Sequence, residues 1–219
     1  MVVLLDVDGT LIDSNDAHAR SWVEIGQRTG YPIGYDHIRW LVGMGGDRVL
    51  PMLTGLDPGS AEGKTLLEQR GELFRSEFLP KLKAFPGARD LVERLRDHGH
   101  ELVVATSAGE ESMKALLEQA GLDDLLPLRT SSDDAEASKP APDIVHAALQ
   151  QAGASPMNAV MIGDTPYDVA AARNAGVAFI GVLCGGWTRV SLAGAREIYS
   201  GPREIVSSFE QSMLSGRLP

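Results

Sequence analysis

The sequence predicts a doubly wound α/β fold, a parallel sheet covered by helices on both faces, with an α-helical domain inserted after the first strand. Two observations carry this. Short apolar, β-rich runs alternate with helical patterns through most of the chain, and several of those patterns stop at a glycine. The alternation breaks once, at about 14–82, where helix-like stretches occur without a convincing strand.

Val2–Leu5 is the first run and reads as a buried strand. The insert follows, with helical patterns over 16–28 and 60–79 and a glycine-rich turn, "VGMGGDR", at 42–48. The chain returns to the sheet near "FPGA" at 85–88 and then reads helix 87–97, strand 101–105, and helix 110–119 ending at Gly121. Next come helix 142–151 ending at Gly153, strand 159–162, helix 166–174 ending at Gly176, and strand 178–182. The tail at 203–213 reads as a final surface helix. Residues 1–13 and 83–219 are therefore expected to form the core domain, and 14–82 the helical insert.

Composition narrows the function classes. The 219 residues carry 30 acidic and 20 basic side chains, a formal charge of −10 with no basic stripe, which argues against a nucleic-acid partner. No segment approaches the ~20 apolar residues of a membrane span. The single cysteine, Cys184, has no partner for an internal disulfide, which fits a cytoplasmic protein. No association helix stands out, so a monomer is expected.

The first strand runs into "DVDGT", Asp6 to Thr10. Ligands in an open parallel sheet bind beyond the carboxyl ends of the strands, so a site belongs here. Asp6 and Asp8 are two residues apart on an extended chain, and close carboxylates call for a cation or a shared proton. A second acidic cluster, "MIGDTPYD", follows the strand at 159–162 and holds Asp164 and Asp168. These carboxylates suit Mg²⁺, which needs only a few oxygen ligands beside a substrate phosphate. Helix capping is the other reading of Asp164.

Four motifs in order resemble those of the haloacid dehalogenase superfamily, in its branch with a helical cap after the first strand: "DVDGT" at 6–10, "VVATS" at 103–107, "SKPAPD" at 138–143 and "IGDTPYD" at 162–168. The resemblance covers essentially the whole chain. It implies a Mg²⁺-dependent phosphatase acting on a small phosphorylated metabolite. Asp6 would be the nucleophile, forming an aspartyl-phosphate, and Asp8 the acid and then the base. Thr106 would hold a phosphate oxygen, and Lys139 would offset the charge on phosphate and Asp6. Asp6, Asp164 and the Asp8 backbone carbonyl would bind Mg²⁺, with Asp168 ligating through water or positioning a neighbour. Members that displace halide lack an acid two residues after the nucleophile, so Asp8 argues for phosphoryl transfer.

Specificity signals lie in the insert. Gly45 and Gly46 would allow close backbone approach to substrate, and Arg48 could reach an anionic tail. Ser107 is a further candidate for the phosphate. His18 resembles a histidine near the cap–core junction of some members, and a solvated helix-face histidine is the other reading. Trp22 and Trp40 are expected in the core of the insert, and Trp187 packed on a loop bordering the site. A phosphomutase of the β-phosphoglucomutase type is the alternative activity. Those enzymes carry an Arg near the place of Gly46 and a second serine near Ala108; Arg48 or Arg70 would have to substitute. A phosphonate-cleaving enzyme would need Lys64 or Lys81 as a Schiff base, and a non-catalytic binding protein would have lost one of Asp6, Asp8, Lys139 or Asp164.

Overall fold

Four buried residues, Val2–Leu5, form β1 at the centre of a six-stranded parallel sheet. The structure is a computed structural model that describes residues 1–216, so the last three residues of the expected core segment lie outside the described residues. Strand order is β3-β2-β1-β4-β5-β6, with β2 at Glu101–Ala105, β3 at Leu128–Thr130, β4 at Ala159–Gly163, β5 at Ala178–Val182 and β6 at Glu197–Tyr199. Leu5 pairs with Val104 on one side and Ile162 on the other, so β1, β2 and β4 end level with one another.

Period-two alternation sends Val3 and Leu5 to one face of the sheet and Val2 and Leu4 to the other. Helices α5 (Ala88–Asp97) and α6 (Glu110–Ala120) cover the first face through Leu91, Leu95, Met113 and Leu117. Helices α7 (Asp143–Gln151) and α8 (Pro166–Asn174) cover the second through Val145, Leu149, Val169 and Ala172. Burial on both faces explains why β1 and β4 are apolar throughout rather than alternating.

The segment between Ile12 and Ala84, which form an antiparallel bridge, contains α1 (Asn15–Thr29), α2 (Tyr35–Arg39), α3 (Gly46–Thr54) and α4 (Ala61–Leu73). These helices share a separate apolar cluster that includes Trp22, Ile25, Ile38, Leu50 and Leu66. The helical pattern at 60–79 is not one helix: α4 gives way to a wider π turn at Phe74–Phe78 and a tight 3₁₀ turn at Leu79–Lys81. The C-terminal expectation also needs correction. Instead of one surface helix, α9 spans only Pro202–Ser207, and two short 3₁₀ turns follow at Phe209–Gln211 and Met213–Ser215. Ile205, Phe209 and Leu214 are buried in the cluster that α5 shares, which ties the tail to the core. Among the described residues no helix is long and apolar enough to cross a membrane.

Candidate active site

The chain leaves β1 for β2 and β3 on one side, and β4 opens the other, so the switch point of the sheet lies between β1 and β4. Asp6 and Asp164 directly follow these two strands. The tight approach depends on Gly9, whose φ of +73° suits glycine and whose absent Cβ would lie 2.4 Å from Asp164 Oδ2.

Lys139, only 1% exposed, places Nζ 2.6 Å from Asp6 Oδ1 and 2.7 Å from Asp168 Oδ1. It is a held lysine, not a solvated one. Asp164 is not a helix cap: Thr165 is the N-cap of α8, and Thr165 and Asp168 form a reciprocal capping box. Asp168 therefore uses Oδ2 for Thr165 and presents Oδ1 to Lys139. Asp164 instead accepts from Thr10 Oγ1 at 3.2 Å and Asn15 Nδ2 at 2.8 Å. Thr10 Oγ1 also lies 3.1 Å from Asp6 Oδ2.

Asp6, Asp164 and Asp168 bring one carboxylate oxygen each to within 4.8 Å of one another, all buried. Three carboxylates against one ammonium leave a surplus of two negative charges. Burial, reinforced by Asp168 and Asp8 and opposed by Lys139, pushes Asp6 up to about 7. Burial together with Asp6 and Asp168 raises Asp164 well above its ordinary value. Burial disfavours the Lys139 cation, but Asp168 and Asp6 outweigh it and raise the ammonium. A divalent cation with a taste for oxygen fits this donor set and would relieve the repulsion.

The Asp8 side chain faces away from this cluster. Its Oδ1 accepts from Ser14 Oγ at 2.5 Å and His18 Nε2 at 2.7 Å. Arg70 Nη2 sits 2.6 Å from His18 Nδ1, and a guanidinium only donates, so Nδ1 accepts and Nε2 carries the proton that goes to Asp8. His18 stacks on Phe74, in the π turn, with ring centroids 4.1 Å apart. Burial alone would raise Asp8, but His18, Ser14 and Arg70 together hold it below its ordinary value. Burial lowers Arg70 to about 10, still cationic near neutrality.

A cavity of about 750 Å³ opens over these groups, between the sheet and the helical layer. Asp6, Asp8, His18, Thr106, Ser107, Gly45 and Gly46 all line it. Thr106 follows β2, and its Oγ1 accepts from Ala108 N–H at 3.1 Å, while Ser107 Oγ is buried without a protein partner among the described residues. Arg48 does not reach in; its Nε donates to the Ser138 carbonyl at 3.0 Å. Arg70, the other substitute for a mutase arginine, lines the cavity and places Nη2 on His18 Nδ1, while its Nε has no partner among the described residues. Trp22 both lines the cavity and belongs to the insert core, as expected, whereas Trp40 is 63% exposed and meets Trp187 edge-on.

Thr10, Ser14, Asn15 and the Gly185 carbonyl were not singled out by motif reasoning. Asn15 spends its two amide hydrogens on Asp164 and Gly185, which ties α1, β4 and the loop after β5 together. Cys184, in the same loop, has its thiol pushed up to about 12 by burial and the Asp164 charge, so it is no nucleophile at neutral pH.

Paired acids at the switch point of a parallel sheet, a buried lysine between two of them and a helical layer above define a family, and the chain belongs to it: the haloacid dehalogenase-like hydrolases, whose sequence profile matches residues 3–182. Among curated relatives, the chain is 30% identical to the "Probable phosphatase IndB" of Dickeya dadantii over 96% of this chain and 90% of that protein. It is 30% identical to a phosphoglycolate phosphatase of Pseudomonas putida over 84% and 70%. Among solved structures it resembles a hydrolase from Pseudomonas syringae, with 28% identity, TM-score 0.88 and 96% and 98% of the two chains covered. A Bacteroides vulgatus protein described provisionally as a β-phosphoglucomutase matches at 26% identity and TM-score 0.85 over 98% and 88%. The protein is an enzyme of this family, a haloacid dehalogenase-like hydrolase whose curated relatives are named as phosphatases.

Proposed function

We propose that this enzyme is a Mg²⁺-dependent phosphatase that hydrolyses a small phosphorylated metabolite through a phosphate ester on Asp6. The observation that carries it is Asp6 held between Lys139 and Thr10 at the floor of the cavity, with Asp8 beside it on a separate hydrogen-bond network. Asp6, Asp164 and Asp168 would hold the Mg²⁺, together with the Asp8 backbone carbonyl, and the ion supplies positive charge against the phosphate oxygens. Residues 14–82 act as a cap over the core formed by 1–13 and 83–219.

An Asp6 carboxylate oxygen attacks phosphorus, and the bond from phosphorus to the leaving oxygen breaks. Asp8 gives its proton to that oxygen, then removes one from the water that releases phosphate and frees Asp6. Ser14 and His18 both bond Asp8 Oδ1, which leaves Oδ2 to carry the proton. Asp8 is held below its ordinary value at rest, so it takes a proton from solvent as the phosphate dianion enters and hands that proton to the leaving oxygen. Thr106 and Ser107 receive phosphate oxygens, and Lys139 keeps Asp6 oriented. Mutases of this type carry an arginine near the place of Gly46 and a second serine near Ala108, and this chain has neither, so hydrolysis is favoured over isomerisation. Cys184 as the single cysteine supports a cytoplasmic setting.

The deciding test is phosphate release with Mg²⁺ across a broad panel of phosphate monoesters. A dedicated substrate should show kcat/KM above ~10⁴ M⁻¹s⁻¹; release from no member of the panel refutes the reading.

Metal binding should also show in stability. Asp6 and Asp164 have raised proton affinities when folded, so the stability they lend is fully present below about 3.8 and is lost as pH climbs through about 7 for Asp6. Mg²⁺ replaces the lost protons. At about 100 times its Kd it should add about 2.7 kcal/mol, or about 5–10 °C in Tm, at pH 8. At pH 5 the gain should shrink, because protons compete for the same oxygens. Melting curves in Mg²⁺ and in EDTA at the two pH values measure this, and equal shifts at both would contradict it.

A further inference from the structure

The cap grips the core at Ser138, which lines the cavity together with Gly45 and Asp47. Ser138, 4% exposed, sits at the foot of the cap loop, and each of its polar groups is met by a cap residue between 45 and 48. Its N–H donates to Asp47 Oδ2 at 3.2 Å, its Oγ accepts from the Gly45 N–H at 3.0 Å, and its carbonyl accepts from Arg48 Nε at 3.0 Å. That carbonyl also accepts from the Ala141 N–H at 3.1 Å. The fit is close: a Cβ on Gly45 would lie 2.6 Å from both Ser138 Cβ and Asp47 Oδ1. The next residue is Lys139, whose ammonium joins Asp6 to Asp168.

We propose that Asp47 and Arg48 are positioning residues that couple the seating of the cap to the placement of Lys139, by clasping the backbone of Ser138. This rests on the phosphatase reading, and it gives Arg48 a role other than holding substrate. Polar backbone groups need partners, and with the cap lifted the Ser138 N–H turns to water and the loop before Lys139 loosens. An ammonium displaced by about 1 Å from a reacting carboxylate can cost on the order of 10²-fold in rate. The device therefore completes the charge arrangement around Asp6 only when the cleft is covered and water is excluded.

The other cap–core contacts supply an independent gauge. Trp40 on the cap meets Trp187 on the core with centroids 5.1 Å apart, and the Tyr167 hydroxyl donates to the Trp40 carbonyl. Cap lifting separates the two indoles and should shift tryptophan emission to the red.

The test uses the full chain with Mg²⁺ and the variants Asp47→Ala, Asp47→Asn and Arg48→Met, with p-nitrophenyl phosphate and a hexose phosphate as substrates. Asp47→Ala and Arg48→Met should lower kcat by about 10–100-fold, by the same factor for both substrates, with KM changed less than about threefold. Asp47→Asn keeps an acceptor for the Ser138 N–H and should restore most of the rate. In Asp47→Ala, hydrogen exchange over 135–143 should speed up and the emission should move to the red. A rise in KM with kcat held, different for the two leaving groups, would make Arg48 a substrate anchor and overturn the proposal. So would unchanged exchange and emission in Asp47→Ala. If the wild-type chain releases no phosphate, the phosphatase reading falls, and exchange and emission still decide the coupling.

Discussion

Asp6→Asn should cut kcat by at least about 10⁴-fold and leave a folded chain. The amide has the shape of the carboxylate but no nucleophilic oxygen anion, so no ester to phosphorus can form. Folding should survive because Lys139 keeps Asp168 as a charged partner and Thr10 keeps Asp164. The stability effect has a definite sign. The Asp6 carboxyl, raised to about 7 in the folded state, stabilises the fold fully only below about 3.8 and loses that contribution as pH rises through 7. An amide carries no such loss, so the variant should gain on the wild type between pH 4 and pH 8 when both are melted in EDTA. Its response to Mg²⁺ should weaken, since one of three clustered carboxylates is gone. Turnover within tenfold of the wild type would remove Asp6 from the role of nucleophile.

Asp8→Asn should lower kcat/KM for alkyl phosphates by about 10²–10⁴-fold, the usual worth of a placed acid and base. The loss should depend on the leaving group. A sugar alkoxide needs a proton as it departs, whereas nitrophenolate does not. With p-nitrophenyl phosphate the first step should persist while hydrolysis of the ester on Asp6 stalls for want of a base. A burst of one nitrophenolate per site, followed by a slow phase and a trapped phosphoryl group on Asp6, is the expected result in rapid-quench experiments. Equal losses for alkyl and nitrophenyl esters, with no burst, would show that Asp8 does not move the proton. The hydrogen bonds from Ser14 and His18 make the asparagine a mild structural change, since its carbonyl oxygen can still accept them.

Much of the framework was legible in the chain itself. Strands β1, β2, β4 and β5 are near-continuous apolar runs because a parallel sheet covered on both faces buries every side chain. The three-residue edge strands β3, "LRT", and β6, "EIY", have mixed polarity and are too short to carry a period, so they went unread. The tail differs for a related reason: its apolar spacing is compatible with a helix, but burial of Phe209 and Leu214 in the core cluster selects short turns.

Asp6, Asp8 and Asp164 could be picked from their residue type and their places after strands, because local spacing and side-chain chemistry decide what a residue is able to do, and Lys139 came only with the motif "SKPAPD". Their partners could not. Asn15 and Asp164 are 149 positions apart, His18 and Arg70 are 52, and Arg48 and Ser138 are 90. Arg48 shows the difference most plainly: its sequence neighbourhood offers a cation to the substrate, and the packed structure spends it on a backbone carbonyl. A buried polar group must find a partner, and which partner it meets is settled by strand register and by the docking of the helical layer on the sheet. Local sequence thus determined the four apolar strands and the carboxylates placed after two of them, while tertiary packing alone decided the edge strands, which charges meet, which oxygens stay free and which surfaces close over them.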